Sequence, residues 1–377
     1  MLYKDSSLDD LRDPLFWQSV CPFLTCSETR WPVAGDPEVD SSHIRRGLLG
    51  PASRAMQTRG FFAIDSTQFE MDLRREHLIA LLARGVMELM RCGFPPLYIL
   101  MFDEAWVLTS VLSAFIPGAC SIEGEGDLEA APLACHVGDF YVFAVLSAKQ
   151  QLSLGNDAYV SVYRPGPPHR DRPTAGPSSF SGASLMPQYC SIWLALTPAT
   201  TSNSCLYCVP IACDEGYYLK GDAAATVEAP LRIEACVAQP LQQGSMLCFS
   251  HRLLHWGSAM QPQGTMLLEE DGSSDYVAAP PRIAFTTAFA QTKFEAAYFD
   301  HDKYPIDGTT PLALRLALVA GQSVQYEHLA PLDKHSLALT RRIFHAQKGM
   351  VSDTYYEKIS SACQMLSFVK RNQRAAK

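Results

Sequence analysis

The chain has 377 residues and a mass of 41.5 kDa, with 47% hydrophobic and 19% charged residues. That balance suits a globular protein with a sizeable core and excludes a disordered one. A net charge of −8 and a pI near 5.7 give no electrostatic reason to expect nucleic acid or another polyanion as partner.

Residues 1–65, with many Pro, Asp and Ser, read as an irregular N-terminal segment. Leu78, Leu81, Leu82, Gly85, Val86, Leu89 and Met90 then recur at helical spacing, with a stop at Gly93 and Pro95-Pro96 beyond. A second helix is predicted from Asp103 to Phe115, its acidic first turn matched to the helix dipole and Pro117-Gly118 after its end. The stretch 97–118 is the most apolar in the chain, but Asp103-Glu104 breaks it as a membrane span.

The middle of the chain changes character. Segments 139–147, 158–163, 190–196, 205–209, 245–249 and 282–289 are rich in β-branched and aromatic residues and separated by turn signals, which predicts a β-sandwich or barrel. Residues 261–280 are acidic and turn-rich and read as a surface insertion. Helices are expected again at 312–320, 334–347 and 353–370. The expected division is an N-terminal segment to 65, a β-core domain over 66–300, and a helical extension over 301–377 packed on that core. The segment 334–377 carries nine Lys or Arg against two acids, which reads as a solvated basic helix end.

Twelve cysteines and a polar start, Met1 to Ser7, predict a reduced, cytoplasmic protein. Cys205, Cys208 and Cys213 lack the second Cys/His pair that a zinc site would want, and read as small buried strand residues.

The chemistry concentrates at His169-Arg170-Asp171, in the run Ser161 to Pro173. On extended chain, positions i and i+2 point the same way, so His169 and Asp171 can offer a nitrogen and an oxygen to one metal ion. His255, in Ser250-His-Arg-Leu-Leu-His-Trp-Gly-Ser258 after a strand, can complete two histidines and a carboxylate, the set that holds non-haem Fe(II) with positions left open. His251 competes with it, and the Leu-Leu-His-Trp-Gly context favours His255. Arg282 starts the last core strand, where its fork can grip a carboxylate in two places. Arg170 and Arg172 read as solvated, and Asp300-His-Asp302 as a loop cap.

His169-x-Asp171, His255 and Arg282, with the strand Ser191 to Pro198 leading to Cys205 to Pro210, the segment Gln243 to Ser258 and the Asp103-Glu-Ala-Trp106 helix, resemble the phytanoyl-CoA dioxygenase group of iron- and 2-oxoglutarate-dependent oxygenases. The likeness covers roughly residues 100–290. It implies an α+β fold with a double-stranded β-helix, or jelly-roll, core wrapped by N- and C-terminal helices. It also implies Fe(II) on His169, Asp171 and His255, and 2-oxoglutarate and O2 as co-substrates. Arg282 would pair with the distal carboxylate of 2-oxoglutarate, beside Trp193, with Ser258 as a helper; by its position six residues before His169, Tyr163 reads equally as a hydrogen-bond partner of the co-substrate or as a core residue. The reaction implied is hydroxylation of a small or lipid-like molecule with release of succinate and CO2. The presence of Asp171 points away from halogenation. Two departures stand out: the 27-residue gap from His255 to Arg282, which a hairpin within 261–280 would explain, and Trp256 where the group tends to place Gly. Competing readings are a jelly-roll binding protein without catalysis and an oxygenase acting on a protein or nucleic acid.

Overall fold

A computed structural model describes residues 3–28, 46–67, 73–119, 134–155, 158–159, 167–172, 175–181, 185–219, 233–258, 260, 265–268, 274–277, 279–306 and 310–375. The N-terminal part, predicted irregular, contains helices α1 (Leu8–Arg12), α2 (Pro14–Val20) and α3 (Arg46–Arg59) and strand β1 (Phe61–Ile64). The first two are too short for a visible period, but both have cap chemistry. Ser7 and Asp10 form a capping box, and Asp13 caps the helix that Pro14 opens. Helix α4 (Leu73–Arg91) follows, and α5 (Asp103–Ala119) runs through Pro117-Gly118 rather than ending before them.

Next come β2 (Ala134–Val145), α6 (Ala148–Ser153), the two-residue strands β3 (Phe180–Ser181) and β4 (Met186–Pro187), β5 (Tyr189–Ala195), β6 (Leu206–Val209), β7 (Val237–Gln239), β8 (Met246–Ser250) and β9 (Leu254–Gly257). Strands β10 (Thr265–Leu268) and β11 (Ser274–Val277) pair as an antiparallel hairpin inside 261–280, which accounts for the long gap before β12 (Arg282–Ala290). Helices α7 (Leu312–Gln325), α8 (Lys334–Ala346) and α9 (Asp353–Ala375) end the chain. Tyr163, with most of the strand predicted at 158–163, lies outside the described residues.

The strands β1-β8-β5-β12-β2 form one antiparallel sheet, and β7-β6-β9 a second. Alternation along the strands gives the large sheet two dry faces. Phe62, Ile64, Ile192, Leu194, Met246, Cys248, Ile283 and Phe285 point to the helices, in one core with residues of α1, α2, α4, α5 and α7–α9. Phe61, Trp193, Ala195, Leu247, Phe249 and Ala284 point the other way, against Leu206 and Cys208 of the small sheet. The order is therefore helices, large sheet, small sheet, and the second interface opens into the functional cavity.

The two helical ends of the chain are joined by a buried charge. Asp103, at the start of α5, accepts from Arg315 of α7, whose guanidinium also donates to the carbonyls of Met101 and Thr310. Asp103 also holds the N-terminal segment, accepting from the amide and hydroxyl of Ser27. Removing one partner of a buried pair strands the other. We expect Asp103→Ala to cost about 3–5 kcal/mol in urea unfolding, against under about 1 kcal/mol for an exposed pair such as Glu88–Arg91.

Candidate metal centre and co-substrate pocket

Backbone pairing assembles the centre. His169 and His255 each donate a backbone N–H to the other's carbonyl at 3.0 Å, one antiparallel bridge between the His169 loop and β9. The Arg172 amide continues the pairing to the carbonyl of His251 at 3.2 Å. The two imidazoles face each other with ring centres 4.5 Å apart. Each is oriented by its own chain: His169 Nδ1 lies 3.0 Å from the Pro167 carbonyl, and His255 Nδ1 3.0 Å from that of Leu253. A carbonyl only accepts, so Nδ1 is the donor, and in the neutral ring Nε2 is the nitrogen with the lone pair. Burial holds the His255 imidazole below its ordinary pKa, partly opposed by Asp171, which keeps it neutral and able to bind a cation.

Asp171 completes the group. One ligand atom each from His169, Asp171 and His255 lies within 4.8 Å of the others. Asp171 Oδ1 is 3.6 Å from His255 Nε2, and its Oδ2 accepts from the hydroxyl of Ser191 on β5. The serine thus occupies one carboxylate oxygen and leaves the other toward the histidines. Two imidazoles and a carboxyl group on one side, with no thiol, suit a divalent metal of the Fe(II) type that needs open positions. Among the described residues this is the one such cluster. Cys208 is a buried residue of β6, as predicted, but Cys205 is buried just before that strand, and Cys213 is exposed in a short 3-10 turn beyond it, because β6 ends at Val209. His251 lies apart, its Nδ1 2.9 Å from the Tyr189 carbonyl and its Nε2 2.8 Å from Ser179 Oγ.

The arginines beside the ligands are structural rather than solvated. Arg170 makes a two-point ion pair with Asp214 at 2.6 and 2.8 Å and donates to the Arg252 carbonyl. Arg252 is fully buried and donates to the carbonyls of Tyr217, Arg172, Gly216 and Leu219. Arg172 pairs with Asp139 at 2.6 Å and Glu295 at 2.8 Å and lies over the Tyr189 ring. Asp139 also accepts from Tyr189, Tyr298 and Gln325, so one buried carboxylate ties the ligand loop to β5, the 291–306 loop and α7. As predicted, Asp300 caps its loop, accepting from the amides of Asp302 and Lys303.

A cavity of about 600 Å3 opens from the three ligands into the space between the sheets. Arg282 lines it from β12, 1% exposed, with its guanidinium 5.4 Å from the Trp193 ring centre and 5.7 Å from that of Phe143. Trp193 is on the inner face of β5, as Arg282 requires. Ser258 is not the serine that Arg282 bonds. Arg282 donates to Ser204 Oγ at 3.2 Å, while Ser258 Oγ is buried with no partner among the described residues. The register of β9 explains this, because it spends Ser258 on a backbone bond to the Cys205 carbonyl. Ser204 is fully buried at φ +80°, a backbone state that a non-glycine residue holds only when its surroundings fix it.

No family model matches the chain and no curated protein matches it. Solved structures do. They include SnoN, a non-heme alpha ketoglutarate dependent epimerase from nogalamycin biosynthesis, at 16% identity, 65% of this chain, 82% of that one and TM-score 0.41. SnoK, a carbocyclase with the same dependence from nogalamycin biosynthesis, matches at 13%, 64%, 84% and 0.39. EctD from S. alaskensis, solved with 2-oxoglutarate and 5-hydroxyectoine, matches at 11%, 70%, 80% and 0.36. One SnoN structure contains Fe3+ and alpha ketoglutarate.

His251 yields a prediction with a definite sign. Burial lowers its pKa from 6.5 to about 4, so the unfolded chain takes up this proton first as pH falls. Stability contributed by the neutral ring is complete above pH 6.5 and declines toward pH 4. Linkage puts the loss at about 2 kcal/mol by pH 5. Urea midpoints at pH 7 and 5 should fall further for the wild type than for His251→Gln. Two of the solved structures that match this chain, SnoN and SnoK, are non-heme, alpha ketoglutarate dependent enzymes.

Proposed function

We propose that the protein is an Fe(II)- and 2-oxoglutarate-dependent dioxygenase that hydroxylates a small organic molecule. The observation that carries this reading is the donor set: two imidazoles locked with Nε2 free, and one carboxylate with one oxygen free, on one wall of a cavity that Arg282 also lines. We read the two facing sheets as the halves of a double-stranded β-helix with helices outside the large sheet.

In this reading His169, Asp171 and His255 hold the metal. Bound iron supplies the chemistry that activates O2 while 2-oxoglutarate is oxidised to succinate and CO2. Arg282 takes the distal carboxylate of 2-oxoglutarate by charge-assisted hydrogen bonds, and Ser204 and Trp193 fix the guanidinium. Ser191 keeps Asp171 from turning away from the histidines. Tyr141, Phe143, Phe249 and Tyr326 wall the cavity and limit the water that reaches it. Ser258 has no part in this arrangement.

The test is calorimetric titration of the apo-protein with Fe(II) under argon, then with 2-oxoglutarate, and detection of succinate in air. One equivalent of each should bind. His169→Ala and His255→Ala should abolish metal binding. Arg282→Lys should keep the metal and weaken 2-oxoglutarate at least tenfold, since an ammonium cannot make the two-point contact. A folded wild type that binds neither ligand ends this reading.

A further inference from the structure

Resting on that reading, the remaining walls of the cavity specify what is oxidised. The iron ligands and Arg282 take up the inner end. The rest is built by β2 and by the C-terminal helices, through Tyr141, Phe143, Gln325, Tyr326, Leu329 and Lys358. The rings of Tyr141 and Phe143 meet edge to face with centres 4.6 Å apart, and those of Tyr141 and Tyr326 are tilted at 52° with centres 4.8 Å apart, so three aromatic side chains form an angled aromatic wall. Tyr326 ends α7, and its ring bridges the strand and helical walls. Its hydroxyl has no hydrogen-bond partner among the described residues, although it lies within electrostatic reach of Asp139 and Asp171. A phenol at the edge of an apolar surface, with no protein acceptor, is a donor for a ligand.

The arginine and lysine at this end are matched internally. Arg172 is bridged to Asp139 and Glu295, and Lys358 donates to Glu295 at 3.2 Å and to the Tyr298 hydroxyl at 2.8 Å. A charged substrate group would have to break one of these bridges or lie against them uncompensated. Arg282, the cation at the inner end, is engaged by the co-substrate.

We infer that the substrate is an uncharged molecule with at least one flat ring, which packs within the angled wall of Tyr141, Phe143 and Tyr326 and presents a carbonyl or ether oxygen to the Tyr326 hydroxyl. The donor selects for oxygen acceptors, the rings for flatness, and the paired charges against ions. Tyr326 acts as a specificity residue, supplied by the C-terminal segment rather than by the β core.

The probes are 2-acetylnaphthalene, its anionic counterpart 2-naphthoate, and naphthalene, which lacks the acceptor. Binding is followed by calorimetry on the full chain loaded with Zn(II) and saturated with 2-oxoglutarate, so that nothing turns over and Arg282 is occupied. The ketone should bind at least tenfold more tightly than the carboxylate. Tyr326→Phe should weaken the ketone about fivefold, the scale of one neutral hydrogen bond, and leave naphthalene unchanged. Phe143→Leu should weaken the ketone and naphthalene alike. Tyr326→Phe should keep wild-type affinity for Zn(II) and 2-oxoglutarate. Equal or tighter binding of the carboxylate, or a ketone affinity indifferent to Tyr326→Phe, overturns the inference. If 2-oxoglutarate fails to bind while the ketone binds without it and still responds to Tyr326→Phe, the co-substrate reading falls and this one stands.

Discussion

Two backbone hydrogen bonds between His169 and His255 set the register on which the centre depends. Side chains alternate along extended chain, so a slip of one residue would turn both imidazoles away and bring Arg170 or Leu254 in their place. The slip is opposed from behind. Arg170 is fixed to Asp214 by two charged hydrogen bonds, and Arg252 gathers four backbone carbonyls, including that of Arg172. The odd positions 169 and 171 face the cavity, and the arginines between and beside them supply the bracing.

Asp139 plays the corresponding part at the other edge. It comes from β2, and its side chain is fully buried. It is matched by Arg172 and by hydrogen bonds from Tyr189, Tyr298 and Gln325. A buried carboxylate is costly unless every lone pair is used, and a fully used one is directional. The loop that holds the metal ligands is thereby referenced to the same carboxylate as the helix that ends in Tyr326.

The parts legible in the sequence were those with a local signature. His169-x-Asp171 announces itself by the i, i+2 rule. His255 follows a strand, and Arg282 starts one. The long helices show their period, and the β10–β11 hairpin fills the stretch that the 27-residue gap required. The partners were hidden because proximity, not spacing, defines them. Asp214 is 44 residues from Arg170 and Ser204 is 78 from Arg282, and nothing local marks either. Ser258 looked apt by its nearness to His255, but the register of β9 commits its backbone to Cys205. Arg170 and Arg172 read as solvated because a basic loop usually is, and only the fold reveals the carboxylates behind them. The N-terminal helices α1 and α2 were missed because five and seven residues cannot show a period, although their caps were on view, and the 14-residue α3 was hidden by Pro51, which reads as a helix breaker but sits inside it.

The Nδ1 atoms of both histidines rest on carbonyls two residues back in their own segments, so the orientation of the ligands is encoded within a few positions on each side. The surface contributed by Tyr326 and its neighbours is encoded some seventy residues after His255. On the proposed reading, the metal-binding segments and the helical wall of the cavity are thus written in separate stretches of the gene, with Tyr141 and Phe143 of β2 supplying the facing wall. Drift or recombination in the last quarter of the chain would then reshape one wall of the pocket and leave the two histidines and the carboxylate in place.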